Sequence, residues 1–453
     1  MTEVLQLSAN DDPGHPGSHP LSRPDKVLLV CDNRDELNWG CRATSIALHD
    51  LIERHYKVSG RIGRRDVLHK ESRIAAISRF SGHRLNPLLR AVANAVVQRS
   101  DYISGDIERS ARQILANKQH SAFFKELVAK FEDADRIVVN GEGSMVFKSQ
   151  ERRDVRFQLT MLEVARLLGK PAYYVNAMIS DFPDEPRNKE TWEKCRRYLS
   201  RCAGVQVRDR QSFALLNQMR LDTKTMVAPD ALFSAADSGR FPRPHPRKIP
   251  GRMLASFPEE PGNLAWSFEE PYICVGGSSY FRSRGRFAEG KSFYSALAEL
   301  IDHLGYRCVF VQTCTGDAFL EPIAQSSGCD FIPVHTGIFA GGAILAHAHA
   351  FISGRYHPSI LASVGGTPCV FLESNSHKMA SLRHWLGDVP EEIQYRDEHA
   401  LTMIRRELTR IAEHGTELRR QIRQTARELS ACAKEIPAML VDAGTASGTQ
   451  VAA

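Results

Sequence analysis

Arg355 and His357 stand two residues apart in the stretch 351–378, FISGRYHPSILASVGGTPCVFLESNSHK. A fixed cation beside a titratable imidazole suits an anionic substrate that needs a proton moved. The elements around the pair explain how it is presented. A short apolar run (Ala350, Phe351, Ile352) leads into it, and a helical pattern, Ile360-Leu361-Ala362-Ser363, follows. Gly365-Gly366-Thr367-Pro368 then breaks the chain before a second apolar run, Cys369-Val370-Phe371-Leu372. Strand, loop, helix, turn and strand make the parallel α/β unit, whose ligands sit beyond the carboxyl ends of the strands. The plainer alternative is a helix start at which Arg and His only cap or meet solvent.

Three other segments share this layout. Arg136-Ile137-Val138-Val139-Asn140 reads as a buried strand, followed by Gly141-Glu142-Gly143-Ser144-Met145. Glycines there are expected to let backbone N–H groups approach an anion at a helix start. A dinucleotide fingerprint would need glycine at position 146, and that residue is Val146, which disfavours nicotinamide or flavin binding. Gly204-Val205-Gln206-Val207 ends in Arg208-Asp209, with Ser212 opening a helical pattern. Near the start, Lys26-Val27-Leu28-Leu29-Val30 leads through a polar loop to Asn38-Trp39-Gly40-Cys41-Arg42 and a helix expected from residue 43 to 54. Four such strand ends in one chain point to a shared cleft.

Together these segments resemble the polysaccharide pyruvyl transferase family. The matching features are Asn38-Trp39-Gly40, the turn Gly141-Glu142-Gly143-Ser144, Val207-Arg208-Asp209-Arg210-Gln211-Ser212 and Pro229-Asp230 before Ala231-Leu232-Phe233. Then come Arg355-Tyr356-His357, Gly366-Thr367-Pro368 and Lys378. Order is kept from about residue 27 to 378. The Arg-Asp and Arg-x-His segments are specific, while the glycine turns are generic. Two departures bear on acceptor specificity: the family often has Asp where this chain has Cys41, and Glu142 intrudes in a turn that is usually glycine throughout. The resemblance implies a GT-B-like fold and transfer of the enolpyruvyl part of phosphoenolpyruvate onto two sugar hydroxyls, with phosphate released and a cyclic pyruvate ketal formed.

Phosphoenolpyruvate carries a carboxylate and a phosphate, so its burial requires cations with good geometry. Arg208 and Arg355 can each hold such a group bidentately, and Lys378 supplies a further point charge. Both arginines read as cleft side chains outside the core. His357 is the candidate general acid, as the resemblance also suggests. Asp209 or Asp230 could deprotonate the sugar hydroxyl. Asp209 could equally orient Arg208, and Asp230 could be a helix N-cap. Asn38, Gly40, Gly141, Glu142, Gly143 and Ser144 are candidates for the acceptor side. No metal and no cofactor is expected. A glycosyltransferase using a nucleotide sugar is the main rival, with Glu373 on ribose hydroxyls. A non-catalytic sugar-binding or scaffold protein is the other, disfavoured by intact Arg208, Arg355 and His357.

Composition bounds the class. At 453 residues, two domains plus extensions are expected, and 42% hydrophobic with 25% charged residues is ordinary for a globular enzyme. Basic clusters at 61–65, 152–153 and 240–252 read first as solvated surface, although they could steer acidic ligands or touch anionic lipid heads. No aromatic-interleaved basic motif points to nucleic acid. Ten scattered cysteines without C-x-x-C spacing fit free thiols in a reducing compartment. The N-terminus is too acidic and polar for a signal peptide, and no 18-residue apolar run exists. A cytoplasmic enzyme is therefore expected, with peripheral contact at the inner face of the membrane left open. Its partners would be phosphoenolpyruvate and a sugar or lipid-linked oligosaccharide acceptor.

The expected architecture is α/β, with two Rossmann-like domains of parallel sheets and a cleft between them. Residues 1–25 read as a disordered tail and 26–240 as an N-terminal α/β domain with a helical segment at about 61–130. Residues 241–271 read as a linker, because closely spaced prolines at 242, 244 and 246 forbid regular structure. A C-terminal α/β domain follows over 272–395, then helices over 396–442 with a break near Gly415, and a disordered tail over 443–453.

Overall fold

The computed structural model describes residues 25–68, 102–183, 185–238, 252–258, 260–284, 287–387 and 390–441. The two tails, the middle of the helical segment read at 61–130 and the proline-rich start of segment 241–271 lie outside the described residues.

The first half is a six-stranded parallel sheet in the order β2-β1-β3-β4-β5-β6. β1 (Lys26–Val30) is almost wholly buried, which is why its sequence is apolar without alternation. α1 (Trp39–Glu53) begins earlier than the periodicity suggests. The Asn38 side chain accepts from the Cys41 N–H, so Asn38-Trp39-Gly40 forms the first turn of the helix rather than a loop ahead of it. β2 (Lys57–Ile62) stands where the helical segment was expected to open; as an edge strand it is largely polar, which hides it. α2 (Ile107–Ala116) and α3 (Ala122–Asp133) follow.

β3 (Arg136–Phe147) corrects the reading of the glycine turn. No helix starts after Gly143. The strand runs straight through, with a register break against β4 (Ala172–Asp181) between Glu142 and Met145, and the next helix, α4, begins only at Arg153 (Arg153–Leu167). The Gly141–Ser144 stretch is thus an irregularity within the strand, not a helix N-terminus. α5 (Lys189–Leu199), β5 (Gly204–Val207), α6 (Arg210–Met219) and β6 (Lys224–Val227) complete this half.

The expected linker carries structure of its own. β7 (Arg252–Ser256) and β8 (Glu260–Trp266) pair antiparallel. The second sheet is five-stranded, parallel, in the order β11-β10-β9-β12-β13. It is built from β9 (Tyr272–Ser278), α7 (Ser279–Arg284), α8 (Phe287–His303), β10 (Arg307–Val311), α9 (Leu320–Ser326), β11 (Asp330–Ile332), α10 (Ile338–His347), β12 (Ala350–Gly354), α11 (Tyr356–Val364), β13 (Cys369–Phe371) and α12 (Lys378–Leu386). α13 (Ala400–Ala433) passes Gly415 without the expected break; that glycine has no heavy atom near its Cβ position. α13 then returns to the first half. Ser430 and Lys434 both donate to Asp237, at 2.8 and 2.7 Å, and the turn Ile436–Leu440 packs on β5, its Leu440 carbonyl accepting from the Tyr173 hydroxyl.

The two halves share a core that joins Trp39 and Leu48 to Val309 and Ile344. Trp39 is the pin: its backbone N–H bonds the Thr313 carbonyl at 2.9 Å and its indole bonds the Val334 carbonyl at 3.0 Å. In each sheet an early strand is flanked on both sides by later ones, β1 by β2 and β3, β9 by β10 and β12. Crevices form beyond the carboxyl ends of strands at such reversals. The two crevices face each other.

Candidate active site

A cavity of about 780 Å³ lies between the halves. Its wall includes Asn38, Gly40, Glu142, Gly143 and Ser144 from the first half and Arg355, His357 and Lys378 from the second, with Arg208 between them. Of the sequence-derived candidates, Gly141, Asp209, Asp230 and Glu373 are absent from this wall; Asp230 lies behind it, bonded to Arg208 and His357. Gly141 is packed away: a Cβ there would sit 2.5 Å from Ala177 and 2.7 Å from the Tyr174 ring. Its carbonyl accepts from Gln158.

Arg208 follows β5 and is 1% exposed, so the reading of it as a cleft residue outside the core was incomplete. Its Nη1 bonds Asp230 Oδ2 at 2.9 Å, and its guanidinium lies 4.2 Å over the Tyr356 ring. Among the described residues Nε has no partner, and Nη2 has only the Met178 sulfur at 3.9 Å. Buried donors without acceptors call for a ligand or a structural reason. The neighbouring Tyr356 hydroxyl is likewise buried and, among the described residues, without a partner.

Nε2 of His357 lies 3.2 Å from Asp230 Oδ2 and 3.0 Å from Arg208 Nη1. These contacts suit different forms of the ring: with a proton on Nε2 it donates to Asp230, and in the neutral tautomer protonated on Nδ1 it accepts from Arg208. Gly40 makes room for it, since a Cβ there would fall 2.7 Å from His357 Nδ1. Burial opposes the charge on Asp230, yet His357 and Arg208 more than offset this and hold its carboxyl below the usual carboxylate range. Asp230 also accepts from Thr44 and from the Leu232 N–H, so it is both the N-cap expected and the counter-ion of the site. Thr44 accepts from Asn176, whose left-handed backbone (φ 55°) is fixed by four hydrogen bonds. That buried polar chain fixes the Asp230 oxygens.

Asp209, read as a candidate base or an orienter of Arg208, is instead the N-cap of α6. Its Oδ1 accepts from the Ser212 N–H and faces His377 Nε2 at 3.0 Å, and its Oδ2 accepts from the Ser212 hydroxyl. Burial opposes its charge, but His377 and Ser212 prevail and lower its pKa.

On the second half, Arg355 caps α11 and is held by Asp317. A Cβ on Gly277 would overlap the Asp317 carboxylate, so this glycine is required by the ion pair. Lys378 begins α12 and donates to Ser279 at 2.6 Å and Asn375 at 2.9 Å. Burial, then the guanidiniums of Arg355 and Arg208, pull its ammonium down to about 7. A lysine so placed is short of negative charge, and an anion would supply it.

Sequence reasoning missed part of the wall. Arg64, Lys148 and Arg152 line it, so some of the clusters read as surface belong to the site. Asp154 bridges Arg64 at 3.1 Å and Arg152 at 2.8 Å. Six cationic side chains (Arg64, Lys148, Arg152, Arg208, Arg355, Lys378) face two carboxylates (Glu142, Asp154), a balance that favours an anionic ligand. Glu373 is not in the wall; its Oε1 accepts from the Tyr395 N–H at 2.9 Å. No helix among the described residues is long and apolar enough to cross a membrane.

Solved structures share the two-sheet architecture. UDP-GlcNAc 2-epimerase from Neisseria meningitidis bound to UDP-GlcNAc superposes over 92% of this chain and 99% of its own, with 12% identity and a TM-score of 0.50. MnaA from S. aureus with UDP covers 91% and 94%, again at 12% identity, with a TM-score of 0.51. At such identity the likeness concerns the fold alone, which is of the GT-B type. No curated protein sequence matches the chain. The model of one sequence family, polysaccharide pyruvyl transferase, matches residues 24–376, a span that includes both halves of the cavity and ends just before Lys378. The chain belongs to the polysaccharide pyruvyl transferase family.

Proposed function

We propose that the protein transfers the pyruvyl group of phosphoenolpyruvate onto two hydroxyls of a sugar during polysaccharide synthesis, releasing phosphate and leaving a cyclic ketal. The observation that carries this reading is the convergence of Arg208, Arg355 and Lys378, from both halves, on one cavity beside His357. A carboxylate and a phosphate together match this set of cations. The unpaired Nε and the weakly held Nη2 of Arg208 would bind one anionic group, and Arg355 with Lys378 the other. His357 would deliver a proton to the methylene carbon as a hydroxyl oxygen adds to the neighbouring carbon. Asn38, Ser144 and Glu142, on the first-half wall, would meet the acceptor, free or lipid-linked. The nucleotide-sugar alternative gains nothing from Glu373, which is turned to Tyr395.

The reading is tested by phosphate release from phosphoenolpyruvate with a panel of nitrophenyl hexosides carrying free vicinal or 4,6-diols. Release that depends on the acceptor is expected. Native protein that transfers sugar from a nucleotide donor, and releases no phosphate from phosphoenolpyruvate, contradicts the reading.

A further inference from the structure

We propose that Glu142 is the base that takes the proton from the acceptor hydroxyl, with Cys41 as its support; the proposal rests on the pyruvyl-transfer reading and deepens it. Of the two carboxylates in the cavity wall, Asp154 is held between two arginines. Glu142 is bridged by no cation among the described residues. Its Oε1 accepts from Asn33 Nδ2 at 2.8 Å and its Oε2 from the Cys41 thiol at 3.1 Å. A thiol is a weak donor, so Oε2 keeps acceptor capacity for a hydroxyl. The other candidate bases, Asp209 and Asp230, lie outside the cavity wall and have both oxygens held by N–H, hydroxyl or guanidinium donors, with no weak thiol contact to give up.

Glu142 is also held in a conformation that glutamate avoids. Its φ is 44°, in the left-handed region where glycine sits freely. Such a residue persists only where its surroundings fix it, and functional sites are where this occurs. Glu142 lines the same cavity as His357, and its neighbours pack on the other side chains there. Gly143 packs on Arg208, its Cβ position 3.6 Å from Nη2, and Cys41 follows Gly40, which packs on His357. The two positions at which this chain departs from the family pattern, 41 and 142, are thus in contact. A carboxylate at position 41 would reach the region that Glu142 now fills.

The chemistry balances. Glu142 takes the proton of the first hydroxyl, its oxygen bonds the central carbon of phosphoenolpyruvate, and the C=C electron pair takes a proton from His357 to form the methyl group. The second hydroxyl oxygen then bonds the same carbon as the C–O bond to phosphate breaks. Its proton returns to His357, and the proton on Glu142 leaves with phosphate.

The experiment compares Glu142→Gln, Glu142→Gly and Glu142→Gly/Cys41→Asp with native protein, using phosphoenolpyruvate and the nitrophenyl hexoside that supports phosphate release. Thermal stabilisation by phosphoenolpyruvate is measured in parallel. Expected are donor stabilisation close to native in all three and a loss of roughly a hundredfold or more in kcat for both single variants. In the double variant, kcat should recover at least roughly tenfold over Glu142→Gly, since the carboxylate returns across the 3.1 Å contact. Glu142→Gln with near-native kcat and intact donor binding overturns the proposal while leaving pyruvyl transfer standing. Native protein that neither binds phosphoenolpyruvate nor releases phosphate from it overturns both.

Discussion

Arg208 leaves part of its guanidinium unused by the protein. Nη1 neutralises Asp230, while among the described residues Nε has no acceptor and Nη2 only the Met178 sulfur. His357 is tied to the same carboxylate, so Arg208, Asp230 and His357 form one unit. If His357 delivers the proton, His357→Asn lowers kcat by roughly a hundredfold to ten-thousandfold. Donor affinity should fall far less, because the arginines remain; near-native kcat in the variant would leave His357 as a helix-start residue. Lys378 sets a pH dependence. Its ammonium ionises near 7 rather than at its ordinary 10.5, so the free site is largely uncharged there above neutral pH. A bound dianion favours the charged form, so binding takes up a proton and affinity falls as pH rises above about 7. Lys378→Met should flatten that slope, read by calorimetric titration in buffers of different ionisation enthalpy. The unliganded protein behaves oppositely. The unfolded chain binds this proton more tightly, so the contribution of Lys378 to stability rises between about pH 7 and 10.5.

At the level of elements, helix starts and strand ends deliver the site. Arg355 and His357 ride on the first turn of α11, Lys378 on that of α12, and Gly40 on that of α1. The strand, turn and helix around Arg355 and His357 were legible in the sequence because those signals are local, whereas the early start of α1 at Trp39 and the helix that opens at Lys378 were not. The irregularity within β3 was not, since glycines at 141 and 143 signal a turn as readily as a bulged strand. Nor were the Arg64 and Arg152 contributions, because β2 is a polar edge strand and their approach to Asp154 depends on packing distant in sequence. The choice between Asp209 and Asp230 turned on the same distant placement. Gly40 gives a test at this scale. Gly40→Ala would put a methyl group against His357 Nδ1 within the first turn of a helix that accepts alanine well. The melting temperature should change little while kcat falls at least roughly tenfold through displaced imidazole. A variant with native kcat would show that the ring position is not critical.

For the whole molecule, the two halves, each built on a parallel sheet, are locked together by Trp39 and by a C-terminal helix that starts on the second half and ends on the first. This arrangement explains why no single segment holds the site: Arg208 and Asp230 come from one sheet, His357 and Lys378 from the other. The two-sheet plan followed from the alternation of strand and helix signals, whereas the return of α13 did not, since a solvated face pattern does not say what the other face meets. The central claim, that this assembled cavity receives phosphoenolpyruvate, is tested most directly by calorimetric titration of that compound and of UDP into native protein and Arg208→Lys. Saturable binding of phosphoenolpyruvate, weakened by about 1–3 kcal/mol in Arg208→Lys through loss of the bidentate contact, is expected, with no binding of UDP. UDP binding together with no heat from phosphoenolpyruvate would contradict the account.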